Sequence, residues 1–326
     1  MATGTSHWIG DPVTLVSRGC SIMGNGMSPF SETLRLAGLA LIGSLLLTSC
    51  GSSPSPSGKG PSGQDDAWPE GKPSRIVSLN LCADQYLLAL ADREQIAGLT
   101  RNAPDPAMSA AASQARGLPI LKGSAEEVAA IEPDLVLGAS KRRSDMLAGL
   151  PRGSYRTIEL PTARSFADIV VHIRQVARAV GHPERGEALI AKMERDLAAI
   201  HMANVDRVAA YYQRRGFLTG TGTLVDDLMQ RSGVTNLAEK LDKPILAQLS
   251  LEELIEARPD YLIVESDSDE VVDQGTEMLN HPLLKDIPRI RLPQAWTVCG
   301  GPAYVDAARS LSRQLAEAEK ARLNAH

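Results

Sequence analysis

One pattern occurs twice in this chain, and it constrains the fold more than any other feature. Ser124 to Leu137 reads SAEEVAAIEPDLVL, and Ser250 to Ile263 reads SLEELIEARPDYLI, at a constant offset of 126 residues. In each copy a Ser can cap a short helix, and two Glu fall in its first turn, where the helix dipole favours negative charge. Pro-Asp then ends the helix ahead of an apolar strand. Two such units at equal depth predict two similar α/β lobes, because alternating strands and amphipathic helices bury their apolar faces by layering. The first lobe opens with a strand over Arg75 to Leu79 and a helical run after Asp84.

The longest helical stretch lies between the copies. Phe166, Ile169, Val170, Ile173, Val176, Ala177 and Val180 repeat at helical spacing and form one apolar stripe. Ser165 with Asp168 three residues on predicts an N-cap, Gly181 a stop, and Pro183 the first residue of a second helix running to about Met202. The expected fold is α/β: two similar lobes joined by a long rigid helix, with a ligand cleft between them. The boundaries are 75–163 for the first lobe, 164–202 for the linker helices and 203–326 for the second lobe. A packed helical link absorbs little backbone rotation, so only a small closure is expected on binding.

The amino-terminal segment carries a different signal. Leu34 to Leu47 is an apolar run shorter than the roughly 20 residues that span a bilayer, and it ends in Thr48-Ser49-Cys50. A short apolar run, two small residues and a Cys resemble a bacterial lipobox, whose Cys is acylated after cleavage. Residues 1–49 are therefore read as a signal peptide, with Met23 and Met27 as better starts than Met1, and Cys50 as a membrane anchor; an ordinary cleavage site is the alternative. Residues 50–74, rich in Gly, Ser, Pro and charge, read as a flexible tether. The body would then sit on the exported side of a membrane, in the periplasm.

Charge narrows the function. The chain has 34 Lys plus Arg against 39 Asp plus Glu, a net charge of -5. Asp11, Arg18, Glu32 and Arg35 cancel within the leader, so processing leaves that balance unchanged. No basic surface of the kind nucleic acid requires is expected, and DNA and RNA are set aside. Six His and four Cys carry no CxxC or HxxxH pair, so a zinc site built by the protein is not expected. No cofactor is expected either.

With these residues in hand, the chain from about Arg75 to Leu315 resembles the helical-backbone class of periplasmic substrate-binding proteins, which serve ATP-driven importers of ferric siderophores, haem and vitamin B12. The resemblance is carried by Arg75 to Ala91 at the first strand and helix, the Glu-bearing helix before Pro133-Asp134, the linker helix, and Gly222-Thr223-Leu224 through Gly233-Val234-Thr235-Asn236. It implies a carrier without enzymatic activity, a monomer, whose partners are a permease and its ATPase. It also implies one surface Glu per lobe docking onto the permease, and the repeat places those roles on Glu126 and Glu252. Rim carboxylates at equivalent points of two lobes suit a two-fold partner.

Ligands of α/β lobes sit outside the carboxyl ends of the strands, which directs attention to the loops there. Those loops supply the candidate ligand-binding residues: Asn80 and Cys82, Arg101, Arg142 and Arg143, Arg214, Arg215 and Phe217, and Trp296 and Tyr304. Arg at a cleft mouth matches anionic oxygens by bidentate bonds. Aromatic content is only 4%, which together with the Arg favours a ferric siderophore or similar iron complex over cobalamin. Cys82 and Cys299 fall in cleft-side loops of opposite lobes; a bridge, a free thiol and a soft ligand contact all remain open. Cys20 precedes the cleavage site. His172, His182 and His201 read as surface or capping residues. The rival function is an exported α/β enzyme of chelatase-like fold, for which the chain carries no G-x-S-x-G, phosphate-loop or H-E-x-x-H motif.

Overall fold

The protein is described by a computed structural model covering residues 71–139, 146–151, 153–201, 206–266 and 273–324. The leader, Cys50, most of the expected tether, and Arg142 and Arg143 lie outside the described residues.

The first lobe is a four-stranded parallel sheet of β1 (Ile76–Ser78), β2 (Ile96–Gly98), β3 (Leu135–Leu137) and β4 (Arg156–Ile158), in the order β2-β1-β3-β4. Two helices accompany it, α1 (Leu81–Leu90) and α2 (Ala125–Ile131). The link is a hairpin of two helices, as the Gly181 stop and Pro183 start predict: α3 (Phe166–Ala179) turns at Gly181 into α4 (Pro183–Ala198), which ends four residues before Met202. Gly186 lets the pair approach closely, since a Cβ there would stand 2.5 Å from that of Ala177. The second lobe carries β5 (Val208–Gln213), β6 (Phe217–Thr219), β7 (Thr235–Asn236), β8 (Leu246–Gln248), β9 (Tyr261–Glu265) and β10 (Arg289–Leu292). β10, β9, β5 and β7 run parallel, whereas β6 and β8 extend the sheet antiparallel beside β5. Its helices are α5 (Leu224–Arg231), α6 (Leu237–Lys240), α7 (Leu251–Ala257), α8 (Gln274–Glu277) and α9 (Gln294–Thr297), and α10 (Tyr304–Asn324) closes the chain.

The repeat is visible atom by atom. Ser124 and Ser250 each accept from the amide of the second Glu, Glu127 and Glu253, at 3.2 Å. Each helix ends on a left-handed residue, Glu132 at φ 51° and Arg258 at φ 48°. Each following Asp then pairs with the strand beside it: Asp134 N donates to Arg75 O at 3.0 Å, and Asp260 N to Val208 O at 2.8 Å. β3 beside β1 thus corresponds to β9 beside β5.

Alternation along the strands divides the interior. Ile76, Leu135 and Leu137, with Tyr211, Tyr261 and Ile263 of the second sheet, face one continuous core that also holds Ile169, Ile173 and Val176 of α3 and Leu311 of α10. The opposite strand positions face separate outer cores, Val77 and Val136 in one lobe and Tyr212, Leu262 and Val264 in the other. Central strands buried on both faces read as unbroken apolar runs, as these do. Residues 71–74, assigned to the tether by composition, belong to the fold: Pro73 is buried, and its carbonyl accepts from Gln95 Nε2 at 2.8 Å.

Candidate functional site

A cavity of about 980 Å³ lies between the lobes. α1 does not begin after Asp84 but at Leu81, because Asn80 caps it: Asn80 Oδ1 accepts from Ala83 N at 2.8 Å, while its Nδ2 donates to Gly138 O at 3.1 Å. Gly138 sits at φ 73°, and a Cβ there would meet Asn80 Nδ2 at 2.2 Å, so the capping contact requires glycine. The early start turns Asp84 inward, where it holds the amide and hydroxyl of Thr100.

Asn80, Cys82, Tyr86 and Asn102 form the wall from the first lobe. Thr162 ends the first lobe, Arg164 and His172 come from the linker, and Gln213, Thr219 and Thr223 from the second lobe. Thr223 caps α5, accepting from Asp226 N at 3.2 Å, so the Gly222-Thr223-Leu224 motif of the sequence stands at the cavity. Cys82 and Cys299 are joined by a disulfide, with Cα atoms 5.2 Å apart, at the cavity's edge. Ile245, Leu246 and Val298 leave apolar side chains exposed on the same wall. Among the described lining residues Arg164 is the sole Lys or Arg, and none is Asp or Glu. The wall is thus apolar surface studded with amides and hydroxyls.

The expected Arg-rich mouth is distributed differently. Arg101 lines a smaller side cavity of about 310 Å³ that shares Asn80, Leu81 and Asn102 with the main one. Arg214 and Arg215 occupy a tight turn between β5 and β6, where Arg215 at φ 61° and Gly216 at φ 75° reverse the chain. Arg214 there pairs with Asp273, and only Gln213 and Thr219 of this hairpin line the cavity. Phe217 lies opposite Gln213 in the hairpin register, outside the lining, and Trp296 packs half-buried on the central core. Tyr304 is 1% exposed: its hydroxyl donates to Asp227 and accepts from Arg231 Nε at 3.2 Å, while Arg231 lies over the Phe166 ring. That cluster ties α3, α5 and α10 together, and burial pushes the Tyr304 hydroxyl pKa up.

His172, expected at the surface or as a cap, is buried against the cavity instead. It stands three residues after Ile169, within the apolar stripe, which is the signal its polarity obscured. Its Nδ1 lies 3.4 Å from Tyr86 Oη, and burial lowers its pKa while Asp168 opposes the shift. His182 does start α4 and pairs with Asp92 at 2.7 Å; His201 is exposed. Glu126 and Glu252 are both exposed, and hydrogen bonds from the Glu126 amide and the Ser124 hydroxyl lower the Glu126 carboxyl pKa. Their neighbours fold back: Glu127 accepts from Lys122 N at 2.7 Å, and Glu253 from Ser250 N at 3.0 Å.

A parallel sheet in one lobe, a mixed sheet in the other, a helical link and a cleft at the strand ends set the architecture, and residues 76–291 match the periplasmic binding protein family. The chain belongs to that family. Among curated relatives, a cobalamin-binding protein of Halobacterium salinarum is 24% identical over 200 residues, covering 60% of this chain and 54% of that protein. The chain thus spans about half the length of that relative. A vitamin B12-binding protein of Pectobacterium atrosepticum is 24% identical over 259 residues, covering 75% of this chain and 89% of that one. Among solved structures, a periplasmic haem-binding protein from Roseiflexus sp. RS-1 superposes with a TM-score of 0.59 at 26% identity, covering 76% of this chain and 99% of that one.

Proposed function

We propose that this protein is the exported, non-enzymatic binding component of an ATP-driven importer, and that it carries a corrinoid such as cobalamin. The carrying observation is the chemistry of the inter-lobe cavity, where amides and hydroxyls of Asn80, Asn102, Gln213, Thr219 and Thr223 sit among exposed apolar side chains with one Arg among the described lining residues. A large, nearly neutral chelate ringed by amide groups suits such a wall. A polyanionic siderophore would leave its charges poorly matched, since buried anions need paired cations. The cobalamin- and B12-binding relatives point the same way.

Delivery is assigned to a permease and its ATPase, with Glu126 and Glu252 as the docking carboxylates, the protein acting as a monomer held to the membrane by a lipid on Cys50. The exposure of Glu126 and Glu252 at equivalent positions of the two repeats supports that choice. A ferric chelate or haem is the second reading, favoured by Arg164 at the cavity and Arg101 in the adjoining pocket. The test is gel filtration of the mature protein after mixing with cyanocobalamin, haemin or a ferric hydroxamate. Co-elution of the cobalamin spectrum alone upholds the proposal, and retention of an iron chelate instead replaces it with the second reading.

A further inference from the structure

The Cys82–Cys299 bridge joins the start of the first helix to the loop before the last, across 217 residues of chain. Its ends belong to opposite lobes and both line the inter-lobe cavity. Each end is also fixed to its own scaffold. On the first side, Asn80 is tied to Gly138 O at 3.1 Å, and Ser78 Oγ donates to Asn80 O at 3.0 Å. On the second, Thr297 Oγ1 lies 3.1 Å from Tyr211 Oη of β5, and Cys299 is 3% exposed. The adjoining Gly300 backbone is packed so closely that a Cβ would come within 2.4 Å of Ala163 Cβ, just ahead of the linker, and 3.2 Å from Ile169 of α3. The bridge therefore connects two anchored walls rather than two loose loops.

We propose that Cys82 and Cys299 are positioning residues that fix the width of the cleft floor, so that the ligand enters a cavity already at its bound width. This inference rests on the cleft being the ligand site. A carrier whose lobes open and shut samples its competent state only part of the time, and its apparent affinity falls by that fraction. A covalent tie between the walls removes the splayed states. Residual motion is rotation about the bridge, felt at the outer rim where Ile245 and Leu246 are exposed.

The experiment compares the native protein with the C82S/C299S double variant. Without ligand, amide exchange over 297–300 and at the rim, 245–247, should quicken on the order of tenfold in the variant, while 135–137 and 261–264 keep native protection. With cyanocobalamin, the dissociation constant should rise about tenfold through slower association, with dissociation unchanged, as a smaller competent fraction requires. Native exchange at both segments, or a loss lying wholly in the dissociation rate, overturns the proposal. If the variant fails to fold, native protein reduced by a phosphine is measured in the same way. If native protein binds no cobalamin, the proposed ligand falls, and the exchange comparison alone upholds or overturns the strap.

Discussion

Two adjacent glutamates in each first turn have different work to do. Glu127 and Glu253 close on their own helix ends, and Lys243 further holds Glu253 at 3.2 Å. Glu126 and Glu252 reach solvent. Reversing both to Lys is expected to abolish uptake in cells while leaving the cobalamin dissociation constant within about twofold, because exposed rim charges guide docking more than they hold structure. Equal loss of uptake and affinity would contradict the assignment. At His172 the pKa is held below the ordinary 6.5 by burial. The unfolded chain therefore binds a proton that the folded protein refuses over the interval below about 6.5, and stability falls as pH drops through it. Thermal melts from pH 7 to 5.5 should show that decline, and His172→Phe should flatten it. The identity of these residues was partly legible. The capping Ser and paired Glu follow from local chemistry, whereas His172 was obscured because an apolar stripe read from periodicity leaves no place for a polar member. The arginines misled for the opposite reason: Arg214 and Arg215 stand where a strand ends, and only the left-handed pair Arg215-Gly216 reveals a hairpin in which Arg214 pairs with Asp273.

At the scale of elements, the linker follows from its sequence with little remainder: Ser165 accepts from Asp168 N at 3.2 Å, and α3 stops one residue short of Val180. That α4 folds back on α3 rests on Gly186. Replacing Gly186 by Ala would gain about 1 kcal/mol of helix propensity. It would also force a Cβ to 2.5 Å from Ala177, and overpacking of that kind costs typically 1–3 kcal/mol. The net effect is expected to be destabilising, read as a lower melting temperature with native helix content. Truncating Asn80 to Ala removes the cap of α1 and its tie to Gly138, and should cost about 1 kcal/mol or somewhat more. The antiparallel strands β6 and β8 were not legible, since a three-residue strand after a charged turn carries too short a pattern to separate from loop.

At the scale of the whole molecule, duplication gives two lobes, and one core running through both sheets, α3 and α10 makes them a single body with a cleft at its edge. The repeat made the lobes readable, but no linear pattern places Asn80, Thr162 and Thr223 around one cavity, because they meet only after both sheets have packed on the linker. The bridge was likewise undecidable from spacing and depends on bringing Cα atoms 217 residues apart to 5.2 Å. Cys50→Ala is expected to move the protein from the membrane to the soluble exported fraction; persistence with membranes would refute the lipid anchor. The central claim is that the inter-lobe cavity holds a nearly neutral corrinoid, and the most direct test is a titration of cyanocobalamin into native protein and the I245E/V298E variant. One equivalent bound natively, with affinity lost about tenfold (~1.4 kcal/mol) in a variant that melts normally, is the predicted result. Equal affinity in both proteins would place the ligand elsewhere and contradict the account.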